Sequence, residues 1–547
     1  MGGKKSWIFI LLAIVIVTLS ACTNSSTKET ATGENVVQKA ASKNVGDWSE
    51  TFQKACLTCH AVDENGKIAR ISDIRKTPEG WEQTILRMQR TWGVELSSEE
   101  AARIVAELSE KNGLAPEETE KIMYWLTDTG SIVEAPMENE LMQESCVQCH
   151  AGARVLAQYR TEDEWKKLKD FHIGMNPSMV YQMRAIDWIG NADKIADYLA
   201  KTNPMETEAW KNWKENGKKY DITGEWKIIG YSPSTGLYSG DATITAKDDL
   251  YYEKRTLNLA GKATNYEGNV RMFTGYSLRS SLGNENEKIR GVFNVQGDGE
   301  IITGQWNRVN DMGIYAKETY YKKGQPQVLA VWPKSIKKGT EQTITVFGTD
   351  FPQNLKKENF QTTNGLEIVE VVKQNNDEVQ LKVKAPANTD IPTGEISFVD
   401  QKGAASINFY QKVDYVKVTP EYGLARLAYD GRKQSVQFEA IAYANGKDGK
   451  ANTEDDIELG PVNAKWKLQE YKLMGIEDED VKYVGSINEN TGLFIPSDGG
   501  PNIKREWNTN NAGNVTVVAT YVDPHSGEKL VGETFLLVTI PDFVYVK

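Results

Sequence analysis

CLTCH at residues 56–60 and CVQCH at residues 146–150 decide how the first part of this chain is read. A CxxCH pentapeptide is the attachment signal of a c-type haem: two cysteine thiols add to the haem vinyl groups, and the adjacent histidine supplies an axial ligand to iron. A bare redox dithiol or a zinc pair is the competing reading of CxxC. A histidine follows both motifs in a chain with only four histidines, which favours two covalently bound c-type haems. The attachment residues are then Cys56, Cys59, Cys146 and Cys149, with His60 and His150 as proximal iron ligands.

From about Gly46 to Asn203 the surrounding pattern is helical and contains an internal repeat. After its motif the first copy carries Arg75, Trp81 and Met88, and the second carries Arg160, Trp165 and His172. The step from tryptophan to the last residue is seven in both (88 − 81 and 172 − 165), about two helical turns and therefore one face. Ala101, Ile104, Leu108 and Asn112 recur as Ala192, Ile195, Leu199 and Asn203 at a constant offset of 91 (192 − 101). Two cytochrome lobes, about 46–130 and 131–215, account for this.

A six-coordinate haem needs a second axial ligand, commonly methionine or histidine, so His60 is paired with Met88 and His150 with His172. A thioether favours ferrous iron and raises the potential, whereas a second imidazole lowers it. Met123, Met137, Met142, Met175, Met179 and Met183 compete as ligands, and Met88 sits in the amphipathic WEQTILRM, where a core role is natural. His172 has the alternative of a surface position. The other non-motif histidine, His525, lies in the turn-like DPHSG of a β-rich region.

The fifth cysteine, Cys22, ends LSAC after Lys4, Lys5 and an apolar run from Trp7 to Val17 that is short for a membrane span. This pattern resembles a lipoprotein signal over residues 1–22, with Cys22 as the lipidated residue; an ordinary signal peptide is the alternative. Both imply export, and a lipidated Cys22 would anchor the body to a membrane. Residues 23–45, rich in Ser, Thr, Asn, Lys and Glu, read as a flexible tether. A net charge of −12 argues against nucleic acid as a partner.

After Asn203, AWKNWKENGKK leads into alternating strand patterns separated by turn residues. The expected fold class is multidomain: an all-α dihaem cytochrome c domain over 46–215, then three all-β domains. The first, 216–325, runs from TGEW to TGQW and reads as barrel-like. WPKSIKKGTEQTITVFGTDFP opens an immunoglobulin-like sandwich over 326–413, and 414–547 reads as a C-terminal second sandwich. No catalytic residue is assigned to any of them. NGKDGKANTEDD at 445–456 offers oxygen ligands of the type calcium takes, but its spacing is not that of an EF-hand, and a solvated hairpin turn is the plainer reading.

WEQTILRMQRTWG and KNGLAPEE within paired CxxCH lobes, then TGEW, KKGTEQTITVFGTDFP and FEAIAYANGKDGKANTEDDIELG, together resemble the α subunit of quinohaemoprotein amine dehydrogenase over nearly everything from Gly46 to Lys547. The resemblance implies a heterotrimer with a β-propeller subunit and a small subunit bearing cysteine tryptophylquinone. It implies oxidation of primary amines to aldehydes and ammonia, with this chain passing electrons from the quinone to an external acceptor. It also implies one bis-histidine and one histidine–methionine haem, in agreement with the pairs above. Cys22 departs from the family pattern and leaves the acceptor open. A free-standing dihaem carrier and a dihaem peroxidase are the alternative functions.

Overall fold

A computed structural model of the chain describes residues 47–120, 137–146, 152–177, 179–180, 183, 186–401, 403–428, 433–472, 477–506 and 509–539. Cys22, Met123, Cys149 and His150, with the signal and tether segments, lie outside the described residues. Among those described, no helix is long and apolar enough to cross a membrane.

The protein is mostly β, with 43% of residues in strands and 21% in helices, and its first domain is not all-α. Strand β1 (Ile74–Lys76) pairs antiparallel with β2 (Gln158–Arg160), in the register Ile74↔Arg160, Arg75↔Tyr159 and Lys76↔Gln158. Each strand is the extended approach to a helix. Thr77 and Thr161 cap the helices Pro78–Trp92 and Glu162–Met175, accepting from the Gly80 and Glu164 amides, and Pro78 occupies the first helical turn. The caps leave the preceding backbone extended with free ladder groups, and the two segments satisfy one another. A three-residue strand shows no period, which is why an all-helical domain was expected.

The repeat is realised in three dimensions as well as in sequence. Trp81 Nε1 donates to the Asn112 carbonyl at 3.0 Å, and Trp165 Nε1 donates to the Asn203 carbonyl at 3.0 Å. The Asn112 amide holds the Ile71 and Ile74 carbonyls, and the Asn203 amide holds those of Leu156 and Gln158. Between the capping threonines the offset is 84 (161 − 77), so Arg160 is the counterpart of Lys76 rather than of Arg75. The ribbon is centred on Arg75 opposite Tyr159, which also correspond at that offset (159 − 75), so a local two-fold axis relates the lobes.

Arg75 fixes this junction. Wholly buried, it makes paired bonds of 2.7 and 2.8 Å to Glu118, donates to the Met205 carbonyl at 2.7 Å, and lies between the rings of Tyr159 and Trp210. The flanking helices Ser98–Lys111 and Trp188–Thr202 pack beside the capped helices, burying Ile104 and Leu108 in one lobe and Ile195 and Leu199 in the other. Each fully buried side chain of this kind contributes about 1.5–3 kcal/mol.

The strands β3 (Gly224–Ser232), β4 (Gly236–Lys247), β5 (Leu250–Leu259), β6 (Lys262–Phe273), β7 (Ser277–Gly283), β8 (Lys288–Gln296), β9 (Ile301–Arg308) and β10 (Tyr315–Lys322) form a closed antiparallel barrel, β10 pairing with β3. Alternating residues such as Trp226, Ile228, Leu257 and Ile302 fill it. It also encloses a polar network in which Arg255 donates to Glu318 at 2.7 Å, and Trp306 and Tyr238 donate to the same carboxylate at 2.9 and 2.6 Å. The barrel is docked on the first lobe through its β6–β7 turn: Phe273 enters that lobe's core, Thr274 donates to the Ser109 carbonyl and Tyr276 to the Leu114 carbonyl.

Beyond the barrel, two four-stranded sheets between Gln327 and Tyr410 enclose a core that includes Ile344, Val346, Val383 and Phe409. The remaining strands, from Tyr415 to Thr539, form one four-stranded and two three-stranded sheets. Lys227 meets Asp377 at 2.9 Å between the barrel and the first of these units, and the Asp311 carboxylate accepts the Ser435 amide at 3.0 Å between the barrel and the last.

Candidate functional site

The first pentapeptide begins at the end of the helix Glu50–Cys56 and closes on itself, the Cys59 and His60 amides both donating to the Cys56 carbonyl at 3.2 and 3.0 Å. This turn brings both cysteines and the histidine into one small arc, with Cys56 half-buried and Cys59 exposed. Cys56 and Leu57 pack on the core that contains Trp81 and Ile85. Trp81, Ile85 and Met88 follow at spacings of four and three along the helix Pro78–Trp92, so Met88 continues the face against which the motif is laid.

In the second lobe Cys146 is the one residue of the pentapeptide among those described. Cys146 packs on the cluster containing Trp165 and Leu168, and His172 continues that face of the helix Glu162–Met175. Met88 and His172 each stand eleven residues after the capping threonine (88 − 77 and 172 − 161). The structure thus puts Met88 and His172 at equivalent positions, each on the helix whose tryptophan shares a core with the first cysteine of its lobe's motif. Of the competing methionines, Met142 is 1% exposed and embedded in the second lobe's core, and Met137 packs on the same cluster, which are filler roles. Met175 lies exposed at the helix end.

His60 and His172 are each held through one ring nitrogen. His60 Nδ1 lies 3.0 Å from the Ala69 carbonyl, and His172 Nδ1 lies 2.7 Å from the Leu168 carbonyl one turn earlier. A carbonyl only accepts, so Nδ1 carries the proton in both rings and Nε2 is left with its lone pair. Burial, with the positive charges of Arg160, Arg154 and Arg87 added, holds the His172 imidazole below its ordinary pKa and so in the neutral, ligating form. Burial, reinforced by Glu107, pushes the Cys56 thiol up to about 12. Cys56, Cys59 and His60, gathered in one turn, are residues that could hold a covalently attached haem with a nitrogen ligand. No cluster of three or more His, Cys, Asp or Glu suited to a bare metal ion exists among the described residues.

Residues 47–210 match the model described as "Quinohemoprotein amine dehydrogenase A, alpha subunit, haem binding". Residues 219–316, 325–411 and 416–547 match α-subunit domains II, III and IV of the same enzyme. The chain belongs to the quinohaemoprotein amine dehydrogenase α-subunit family. No curated protein matches it. Among solved structures, a redesigned β-barrel is 12% identical over 19% of this chain and 92% of its own, with a TM-score of 0.18. A Drosophila N-cadherin EC1–3 fragment is 8% identical over 45% of this chain and 85% of its own, with a TM-score of 0.20. Neither likeness is close enough to inform the α subunit's site.

Two features of this α subunit were not singled out from its sequence, the cationic cluster between the lobes and the contact of Arg87 with Phe171. Lys76, Arg87 and Glu164 gather with Arg154 and Arg160 where the lobes meet. The signal was a run of basic residues flanking the ligand helices, but nothing in their spacing states that they converge. The Arg87 guanidinium lies 4.8 Å over the ring of Phe171, and these two residues are counterparts under the lobe repeat (171 − 87 = 84). The residues that immediately precede Met88 and His172 thus touch across the local two-fold axis. The 445–456 loop is a self-contained turn: Asp455 accepts the Lys447 amide, and Asp456 accepts those of Gly446 and Thr453, so both carboxylates serve the loop's own backbone.

Proposed function

We propose that this α subunit is the electron-transfer member of its amine dehydrogenase, carrying two covalent c-type haems. They would be attached at Cys56 and Cys59 and at Cys146 and Cys149, with axial pairs His60–Met88 and His150–His172. The observation that carries this is the equivalent placement of Met88 and His172 eleven residues from the caps of their helices. Each haem iron supplies a one-electron ferric–ferrous couple at a fixed position.

The chain's own residues then set direction and distance. Met88 offers a soft thioether that favours the reduced state, and His172 offers a second imidazole that favours the oxidised state, so the lobes differ in potential. Ala69 and Leu168 fix the two imidazoles through Nδ1 and keep Nε2 aimed away from its own backbone partner. Contact of Arg87 with Phe171 brings one residue of each ligand helix together at the seam, which supports transfer between lobes. Electrons would come from cysteine tryptophylquinone on a small partner subunit, held with a β-propeller subunit, during oxidation of primary amines to aldehydes and ammonia. They would leave to an external acceptor. Export and a lipid anchor at Cys22 would hold the complex at the outer face of a membrane.

Purification from the native cell, with assay of a primary amine against an artificial acceptor, tests this. Activity should be present in the complex and absent from this chain alone, and redox titration should resolve two potentials. Amine oxidation by the isolated chain, or a single potential for all its haem, would sink the reading.

A further inference from the structure

Five cationic side chains converge where the lobes meet: Arg70, Lys76 and Arg87 from the first and Arg154 and Arg160 from the second. Arg160 and Lys76 are 6% and 5% exposed. Glu164, itself 1% exposed, is the carboxylate among them, with Arg70 at 3.1 Å and Arg160 at 3.9 Å, and Lys167 reaches it as well at 3.2 Å. Lys76 has no carboxylate within ion-pair distance among the described residues; its ammonium bonds Thr84 Oγ1 at 2.7 Å and lies 5.3 Å over Trp81. Arg154 donates to the Gln83 side chain. Arg87 stacks on Phe171, makes no ion pair among the described residues, and keeps a buried Nε without a hydrogen-bond partner.

Even with Arg154 left out of the count, Arg70, Lys76, Arg87 and Arg160 exceed Glu164, the one carboxylate that the described residues bring among them. Removing cations from water without compensating anions is costly, and a guanidinium with an idle buried N–H is a prepared donor for a planar carboxylate. The crowding is felt by its members: burial first, then Arg160, Arg87 and Arg154, hold the Lys76 ammonium well below its usual pKa. Arg87 lies over Phe171, the residue before His172, and the Phe171 ring stands edge-on to the His172 ring with centroids 6.1 Å apart. The cluster therefore lies beside the second lobe's distal donor, at the seam between lobes.

We propose that this cluster is a carboxylate-binding site for the propionates of the second-lobe haem, with Arg87 contributed across the seam by the first lobe, and that its positive charge raises that haem's potential. The proposal rests on the axial pair His150–His172 given above. Neutralising the cluster with propionates accounts for its surplus charge, and the guanidinium groups offer charge-assisted bonds in the paired geometry carboxylates accept. Two imidazoles pull this haem's potential down and the cluster offsets part of that. It also makes the two lobes mutually dependent, because the first lobe's ligand helix carries Arg87 one residue before Met88.

Arg87→Gln tests this in the intact haem-loaded complex, with Arg87→Lys and Arg154→Gln as companions. Electron paramagnetic resonance identifies the bis-imidazole haem, spectroelectrochemistry gives each potential, and resonance Raman reports the propionate bending band. A unit charge roughly 12 Å from a redox centre, at an effective dielectric constant of about 20, changes its reduction constant about tenfold. Arg87→Gln should therefore lower the bis-imidazole haem's reduction constant about tenfold, 59 mV for one electron, and shift its propionate band. The other haem should move less, and Arg87→Lys should restore most of the potential. Unmoved potential and band in both Arg87→Gln and Arg154→Gln would overturn the proposal, as would equal shifts of both haems. A wild type without a bis-imidazole signal removes both this site and the axial reading beneath it. The signal with unmoved potential and band removes this site alone.

Discussion

Arg75→Met is the most severe single change the first domain offers, and its cost can be worked out group by group. The guanidinium is wholly buried and makes two charge-assisted bonds to Glu118, whose side chain is 4% exposed. Methionine fills much of the volume between Tyr159 and Trp210 but donates nothing. Glu118 keeps the Thr207 hydroxyl at 2.6 Å and the Ala115 amide at 2.9 Å, yet it loses its cation, and the Met205 carbonyl loses its donor. Leaving one member of a buried pair uncompensated costs about 3–5 kcal/mol, a large part of the roughly 5–15 kcal/mol that holds a domain together. Urea unfolding of the haem-loaded chain, followed by Soret absorbance, reads this domain separately from the β domains. With a slope of about 2–3 kcal/mol per molar urea, the midpoint should fall by about 1–2 M. Arg75→Met with Glu118→Leu removes both charges and should recover most of the loss, since an apolar pair in place of a buried ion pair is close to neutral. A loss below about 1 kcal/mol for the single change, or a double variant as unstable as the two singles summed, would refute this account of the junction.

Other changes separate ligand from scaffold. His172→Ala should alter the spectrum and lower-potential couple of one haem only, while Met142→Leu, in the core, should leave both spectra unchanged; two unaltered low-spin haems in His172→Ala would disprove the axial assignment. Cys22→Ser should release the protein from membranes on cell fractionation, and persistent membrane association would count against a lipid anchor at that residue. Asp456 is held down to about 2, chiefly by the Tyr415 hydroxyl at 2.5 Å and also by the Thr453 and Gly446 amides. Its folded pKa is below its unfolded value near 3.9, so its contribution to loop order is complete above that value and lost as pH falls through about 2. An NMR titration of Asp456 with a midpoint near 4 would contradict that hydrogen-bond set.

The candidate ligands were legible because two copies of one lobe share a chain. Trp81 and Trp165 bind the carbonyl of the asparagine that caps a later helix of the same lobe, so tryptophan and asparagine meet in both lobes although 31 residues separate them in one and 38 in the other. With the tryptophans aligned, Met88 and His172 fall at one position and differ visibly. The ribbon β1–β2 was not legible, since three extended residues before a capped helix look like any loop until their partners are known. Arg75 misled for a related reason: it aligns with Arg160 by residue type, whereas the caps at Thr77 and Thr161 align Arg160 with Lys76. The cationic seam was hidden because its members come from both lobes and become neighbours only through the ribbon. In the barrel the alternation was readable, but closure of β10 on β3 and the enclosed Arg255 network depend on contacts far apart in sequence.

The local two-fold axis explains how one scaffold yields an asymmetric pair. At the ribbon it sets Arg75 against Tyr159, and at the ligand helices it sets Arg87 against Phe171. A strictly symmetric protein would place two arginines in each contact and suffer like-charge repulsion where the backbones meet. Here each contact instead joins a cation to an aromatic face, an attraction of about 0.5–2 kcal/mol that tightens as water is excluded. The divergence that put Met88 in one lobe and His172 at the equivalent position of the other thus also gave their seam complementary partners. A lobe carrying Arg87 and Met88 requires a neighbour carrying Phe171 and His172. Exchanging Arg87 with Phe171 in one chain should therefore preserve the contact and the stability while moving a positive charge from the first lobe's ligand helix to the second's. Such a swap should leave the unfolding midpoint nearly in place and change the two potentials in opposite directions, whereas a collapse of stability would show that packing around each side chain, and not their pairing, holds the seam.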